Sequence, residues 1–129
     1  MPRKCVLIVE DDRDLQELLR KRLESKGFDC ESAYTVESAL HRLRENRPDL
    51  VLLDLGFKDA NGTVFLNNAR HWLPEGVKVP PILVLSCFND KEVVDFVMDQ
   101  GAVGFLAKPY DPTILVNTIN DYIHQASPN

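Results

Sequence analysis

The chain has 129 residues, of which 44% are hydrophobic and 27% charged, as in one ordinary globular domain. Fifteen Lys and Arg against 20 Asp and Glu give a net charge of -5, which argues against a domain that grips nucleic acid through a basic face. No apolar run approaches the roughly 18 residues of a membrane span, and the first residues do not resemble a signal peptide. Three widely spaced cysteines argue against a disulfide framework, so we expect a cytoplasmic protein.

The first half of the chain predicts three strands and two helices. In chain order these are Cys5–Val9 (strand), Asp12–Lys26 (helix), Asp29–Ala33 (a weaker strand), Thr35 to Asn46 (helix) and Leu50–Leu53 (strand). The first strand is an apolar run rich in β-branched residues, and the helices carry apolar residues at intervals of three and four. Gly27 supplies the end of the first helix, and Thr35 the N-cap of the second.

The second half predicts three helices and two strands, followed by a polar tail. In chain order these are Thr63–Trp72 (helix), Pro81–Leu85 (strand), Asn89 or Asp90 to Gln100 (helix), Val103–Ala107 (strand) and Pro112 to about His124 (helix). The turn signal Asn61-Gly62 precedes the first of these helices. Asp111 followed by Pro112 is typical of an N-cap with proline at the first helical position.

Five strands therefore alternate with five helices along the chain. Three of the strands are continuous apolar runs, which indicates burial on both faces of a sheet. The pattern predicts an α/β fold with a doubly wound parallel sheet, helices on both faces and right-handed crossovers. Folds of this class place their chemistry beyond the carboxyl ends of the strands.

Polar and charged residues occupy those strand ends. They are Glu10, Asp11 and Asp12 after the first strand, Asp54 after the third, Ser86 after the fourth and Lys108 after the fifth. Clustered carboxylates repel one another unless a cation joins them, and an all-oxygen set suits Mg²⁺. A metal ion and Lys108 around one carboxylate would form a receptor for a phosphoryl group. Asp54 ends a central strand alone, so it is the best candidate nucleophile.

Taken together and in order, these motifs resemble the receiver domain of the response-regulator family, the phosphoacceptor half of two-component signalling. The resemblance covers about residues 4–124. The motifs that carry it are Val6–Asp12, Asp49–Gly56, Asn61-Gly62, Pro81–Ser86 and Gly101–Pro109. It implies a single flavodoxin-like receiver domain over residues 1–124, with strand order 2-1-3-4-5, followed by a polar tail over residues 125–129.

The resemblance also implies a role for each site residue. Asp54 matches the aspartate that accepts a phosphoryl group from a histidine kinase or phosphotransfer protein. The implied Mg²⁺ ligands are Glu10, Asp11, Asp54 and the carbonyl of Gly56. The implied switch residues are Ser86, whose hydroxyl meets the phosphoryl group, and Phe105, whose side chain follows phosphorylation. Lys108 matches the lysine that pairs with the phosphoryl group, and its bond to Pro109 is expected to be cis.

Two other functions are compatible with parts of this pattern. A pseudo-receiver would be an interaction module that is never phosphorylated, although the full set of site residues argues against it. A phosphatase with an aspartate nucleophile needs a second acid two residues later, where this chain has Gly56. We therefore expect a signalling domain that assists its own phosphorylation and dephosphorylation, and no turnover of a metabolite. Simpler roles also exist for Asp12 as an N-cap and Phe105 as core packing.

Phe96 lies off the apolar stripe of the fourth predicted helix, and Val103 begins the fifth predicted strand. The two residues could form an apolar patch on the face between the fourth and fifth helices, which receivers use for partners. A homodimer through that face is the corresponding expectation, and simple local packing is the competing interpretation.

Overall fold

The structure, a computed structural model, describes residues 3–55, 61–87 and 90–126. Within these ranges the predicted alternation of five strands and five helices is confirmed. The strands are β1 (Cys5–Val9), β2 (Asp29–Ala33), β3 (Leu50–Leu55), β4 (Ile82–Ser86) and β5 (Gly104–Ala107). The helices are α1 (Arg13–Ser25), α2 (Val36–Asn46), α3 (Asn61–Trp72), α4 (Lys91–Asp99) and α5 (Pro112–Ala126).

Two strands run further than their apolar residues predict. β3 continues through Asp54 to Leu55, and β4 includes Ser86 as its last residue. Both extensions have the same cause, because Asp54 pairs with Leu85 and Leu55 pairs with Ser86 in the parallel ladder. The two polar side chains thus project from backbone that the sheet holds in place, which fixes them better than a loop would.

The strands form one parallel sheet in the order β2-β1-β3-β4-β5, as the family resemblance implies. Val9 pairs with Leu53, so the residues that follow them, Glu10 and Asp54, lie at the same level of the sheet. On the far side, the backbone N–H of Lys108 donates to the carbonyl of Ser86 at 2.9 Å and extends the β4–β5 ladder by one residue. The register therefore brings the ends of β1, β3, β4 and β5 to one rim.

Each face of the sheet buries a separate hydrophobic cluster. The cluster under α2, α3 and α4 includes Leu7, Val9, Val51, Leu53, Leu43, Phe65 and Val97. The cluster under α1 and α5 includes Val6, Ile8, Leu50, Leu52, Leu19, Leu23, Leu115 and Ile119. Alternate residues of β1 and β3 enter opposite clusters, because successive side chains of a strand point to opposite faces. This two-sided burial accounts for the continuous apolar runs in the sequence.

Several helix ends follow the predicted signals, whereas the predicted turn Asn61-Gly62 forms the start of α3. Gly27 and Gly101, just after α1 and α4, have φ values of 97° and 113°, which glycine adopts without a steric penalty. Asp111 accepts a hydrogen bond from the backbone N–H of Thr113 at 2.7 Å, at the start of α5. The Lys108–Pro109 peptide bond is cis, as the resemblance implies. Among the helices of the described ranges, none is long and apolar enough to cross a membrane.

Candidate functional site

The three adjacent acids of the loop between β1 and α1 differ in their contacts and in their burial. Asp12 is the N-cap of α1, and its carboxylate accepts from the backbone N–H groups of Asp14 and Leu15. The predicted capping role of Asp12 is therefore confirmed. Glu10 is buried and accepts from the backbone N–H of Asp12 at 3.0 Å, whereas Asp11 is exposed. Glu10 and Asp11 remain available for the site.

Asp54 and Lys108 form an ion pair at the centre of the rim. Lys108 Nζ lies 2.5 Å from Asp54 Oδ1, and the Asp54 side chain is only 1% exposed against 17% for Lys108. A carboxylate buried to this degree requires a partner charge, and the lysine supplies it. The second oxygen, Asp54 Oδ2, is buried and has no hydrogen-bond partner within the described part of the chain.

Glu10 stands beside Asp54 in the same pocket, and its titration reflects that position. Burial is the largest effect that raises the pKa of Glu10 to about 8, and a hydrogen-bonding contact with the Asp54 carboxylate adds to it. The backbone N–H of Asp12 opposes both effects. Burial beside Asp54 thus favours the protonated form of Glu10.

The remaining predicted residues lie at the ends of β4 and β5. Ser86 is fully buried as the last residue of β4, one ladder position from Lys108. Phe105 is half-buried in β5 and packs against the cluster under α2, α3 and α4. Gly56, the implied backbone ligand, lies outside the described residues. The structure thus brings Glu10, Asp54, Ser86 and Lys108 to one rim.

The donor set fits a small hard cation. Asp54 Oδ2 is a buried oxygen that receives no N–H or O–H donor from the described residues, and the Glu10 carboxyl lies beside the same carboxylate. Over the same ranges, no group of three or more His, Cys, Asp or Glu side chains is arranged to hold a metal ion. Mg²⁺ does not require such a cage, because it keeps several waters and carboxylates can hold it through them.

Two residues at the site escaped the sequence analysis. Gln16 of α1 is 1% exposed and lies under the acidic loop. Its position on the same helical face as Leu19 and Leu23 was the available signal, since a polar residue on an apolar stripe needs a buried partner. Tyr110 packs against the cluster under α1 and α5, where burial, and next the charge of Asp54, raise the pKa of its hydroxyl.

The fold with a 2-1-3-4-5 parallel sheet is one that solved structures of signalling proteins share. The chain superposes on the Vibrio cholerae chemotaxis protein CheY4 with a TM-score of 0.84 and 26% identity, over 94% of this chain and 99% of that one. The model of the response regulator receiver domain family matches residues 6–120. The chain therefore belongs to the response regulator receiver family, whose members are signalling domains of two-component systems.

Several curated relatives of the chain are longer regulators. It is 34% identical over 105 residues to the KDP operon transcriptional regulatory protein KdpE of Escherichia coli, which covers 81% of this chain and 44% of KdpE. It is 37% identical over 114 residues to the DNA-binding response regulator MtrA of Mycobacterium tuberculosis, which covers 88% of this chain and 48% of MtrA. The chain spans about half the length of the curated relatives it matches.

Proposed function

We propose that the chain is a phosphorylation-activated receiver whose Asp54 takes a phosphoryl group from the phosphohistidine of a histidine kinase or phosphotransfer protein. The observation that carries the proposal is the buried Lys108–Asp54 ion pair at 2.5 Å, with Glu10 beside it. In the transfer, one Asp54 oxygen attacks phosphorus in line, an oxygen–phosphorus bond forms, and the nitrogen–phosphorus bond of the donor breaks. The donor imidazole recovers its neutral form with a proton from water.

Glu10, Asp11 and Asp54 are the residues proposed to hold Mg²⁺, with the carbonyl of Gly56 assigned on the family pattern alone. When bound, Mg²⁺ would offset the charge of the incoming phosphoryl oxygens. Glu10 would have to give up the proton that its burial favours in order to hold the ion, directly or through water. Lys108 supplies a second positive charge, already within hydrogen-bond distance of the attacking carboxylate.

Phosphorylation would move the negative charge that Lys108 faces. In the acyl phosphate the bridging oxygen of Asp54 carries little charge, so Lys108 pairs instead with a phosphoryl oxygen, and the hydroxyl of Ser86 donates to another. Phe105, half-buried two ladder positions before Ala107, then turns inward. A shift of a few kcal/mol between two existing states is sufficient for such a switch.

The face from α4 to α5 is the surface proposed to change its partner, with a homodimer as one outcome. The segment from α4 to α5 carries exposed apolar side chains, which are Phe96, Met98, Val103 and Ile114. Phe96, 47% exposed, is the residue to test, because Phe96→Asp should abolish phosphorylation-dependent self-association in sedimentation experiments while leaving phosphorylation intact. Unchanged self-association would exclude this face.

Three further proposals concern the limits of the domain, nucleic-acid binding and cellular location. Residues 1–124 are proposed as the receiver domain and residues 125–129 as a polar tail. The net charge of -5 supports a domain that does not itself bind nucleic acid, although MtrA is named as DNA-binding. The three cysteines without a disulfide framework support a cytoplasmic location.

The direct test is labelling with acetyl phosphate, followed by intact mass spectrometry. We expect one phosphoryl group on the wild-type chain with Mg²⁺, and none with EDTA or in Asp54→Asn. Asp12→Asn is the matched control, because asparagine caps a helix as well as aspartate does and should leave labelling unchanged. Absence of labelling in the wild type would favour the pseudo-receiver, and steady hydrolysis of a generic phosphate ester would favour the phosphatase.

A further inference from the structure

Gln16 is a buried amide at the base of the acidic loop. It is 1% exposed, and its backbone N–H donates to the carbonyl of Asp12 at 2.9 Å in the first turn of α1. From this position its side chain reaches back beneath Glu10, so one residue links the start of α1 to the end of β1.

The amide nitrogen of Gln16 meets three backbone carbonyls. Nε2 lies 3.1 Å from the oxygen of Ile8, 3.2 Å from that of Glu10 and 3.1 Å from that of Ala33. An amide has two N–H groups, so three acceptors at these distances require that one N–H be shared. The first two carbonyls bracket Val9 at the end of β1, and the third ends β2.

The strand end is held at the same point by the sheet itself. The backbone N–H of Glu10 donates to the carbonyl of Ala33 at 3.0 Å, so this carbonyl accepts from both Glu10 and Gln16. The segment that carries the acids is thereby fixed on two sides before it enters the α1 N-cap. Glu10 Oε2 adds a third contact to this segment by accepting a hydrogen bond from the backbone N–H of Asp12.

The orientation of the Gln16 amide has a free-energy cost, which indicates that its contacts with the three carbonyls have a specific role. Gln16 Oε1 is buried and accepts no hydrogen bond from the described residues, and a buried unsatisfied acceptor is unfavourable. Rotation of the amide by half a turn would not help, because Oε1 would then face three carbonyl oxygens. An apolar side chain of the same length would leave no unsatisfied side-chain oxygen, but it would remove one donor from each of the three carbonyls.

We propose that Gln16 is a positioning residue, which fixes the Glu10–Asp11 segment so that its carboxylates face Asp54. The metal-related part of this role rests on the proposed function, since Gln16 itself touches backbone only. Residues that orient metal ligands commonly affect metal affinity by 10- to 100-fold when they are replaced. Gln16→Met keeps the side-chain length and removes both N–H groups, so it isolates the three hydrogen bonds.

The test compares Gln16→Met with Leu23→Ala in the full chain. Leu23 is a fully buried residue of the same helix that lies away from the loop, and its truncation destabilises the fold without touching the strand ends. We expect Gln16→Met to raise the Mg²⁺ dissociation constant about tenfold and to speed amide exchange at residues 9–12 by tenfold or more, relative to Leu23→Ala.

Two results would overturn the proposal. They are wild-type Mg²⁺ affinity with wild-type exchange in Gln16→Met, and an equal loss of Mg²⁺ affinity in Leu23→Ala. If Gln16→Met does not fold, Gln16→Asn replaces it, since its shorter amide cannot span the three carbonyls and should weaken Mg²⁺ severalfold. A wild-type chain that binds no Mg²⁺ would refute the proposed function, and the exchange rates at residues 9–12 would still decide whether Gln16 holds the loop.

Discussion

Replacement of Lys108 by methionine should destabilise the metal-free protein strongly, although a single surface ion pair contributes little in most proteins. The difference lies in the burial of Asp54, whose side chain is 1% exposed. Without the lysine, the carboxylate must stay charged and unpaired or take up a proton. Protonation of a carboxyl with an ordinary pKa costs about 4 kcal/mol at pH 7, which sets the scale of the loss.

Breaking a buried ion pair by removing one partner typically costs 3–5 kcal/mol. Lys108 is 17% exposed and some water reaches the pair, so we expect a loss of about 3 kcal/mol, near the lower end of that range. Urea unfolding of Lys108→Met without metal measures it. The companion variant Asp54→Asn removes the buried charge that the loss of the lysine leaves unpaired, so adding it to Lys108→Met should recover about 2 kcal/mol. A single variant as stable as the wild type, or no recovery in the double variant, would refute this reasoning.

Three further predictions concern the loop and the sheet edge. The folded chain holds a proton on Glu10 up to about pH 8, whereas the unfolded chain releases it near pH 4.5. Without metal, the free energy of unfolding should therefore fall as the pH rises between these values. The stabilisation by Mg²⁺ should grow over the same range. Urea midpoints that stay flat with pH would contradict this. Gly104→Ala should cost about 1–3 kcal/mol in thermal unfolding, since its Cβ would lie 2.5 Å from the hydroxyl oxygen of Tyr122. Asp12→Ala should cost about 1 kcal/mol through loss of the α1 cap, whereas Asp12→Asn should be neutral.

The fold was largely predictable because its signals are local. The continuous apolar runs of β1 and β3 reflect burial on both faces, and Gly27 and Asp111 mark helix ends through backbone conformation and capping. The ends of the strands were harder to predict from the sequence. Asp54 is a polar residue, and it belongs to β3 because of its register with β4. Sequence periodicity contains no information on that pairing.

The site was predictable as a set of residues at one rim, and not as a set of contacts. The order of the motifs gave Asp54, Lys108 and Glu10, but the 2.5 Å ion pair depends on the register of strands far apart in the chain. The burial of Glu10, and hence its raised pKa, likewise needs the packed structure. Gln16 was overlooked because no motif contains it, although its place on the apolar face of α1 indicated a buried polar contact.

The most direct test of the central claim is to locate the phosphoryl group chemically. Borohydride reduces an acyl phosphate to an alcohol and so converts a phosphorylated aspartate to homoserine, which peptide mass spectrometry detects. After treatment with acetyl phosphate and Mg²⁺, the reduced wild-type chain should carry homoserine at position 54 and at no other aspartate. Homoserine at Asp11 or Asp12, or at position 54 to the same extent with EDTA, would contradict the account.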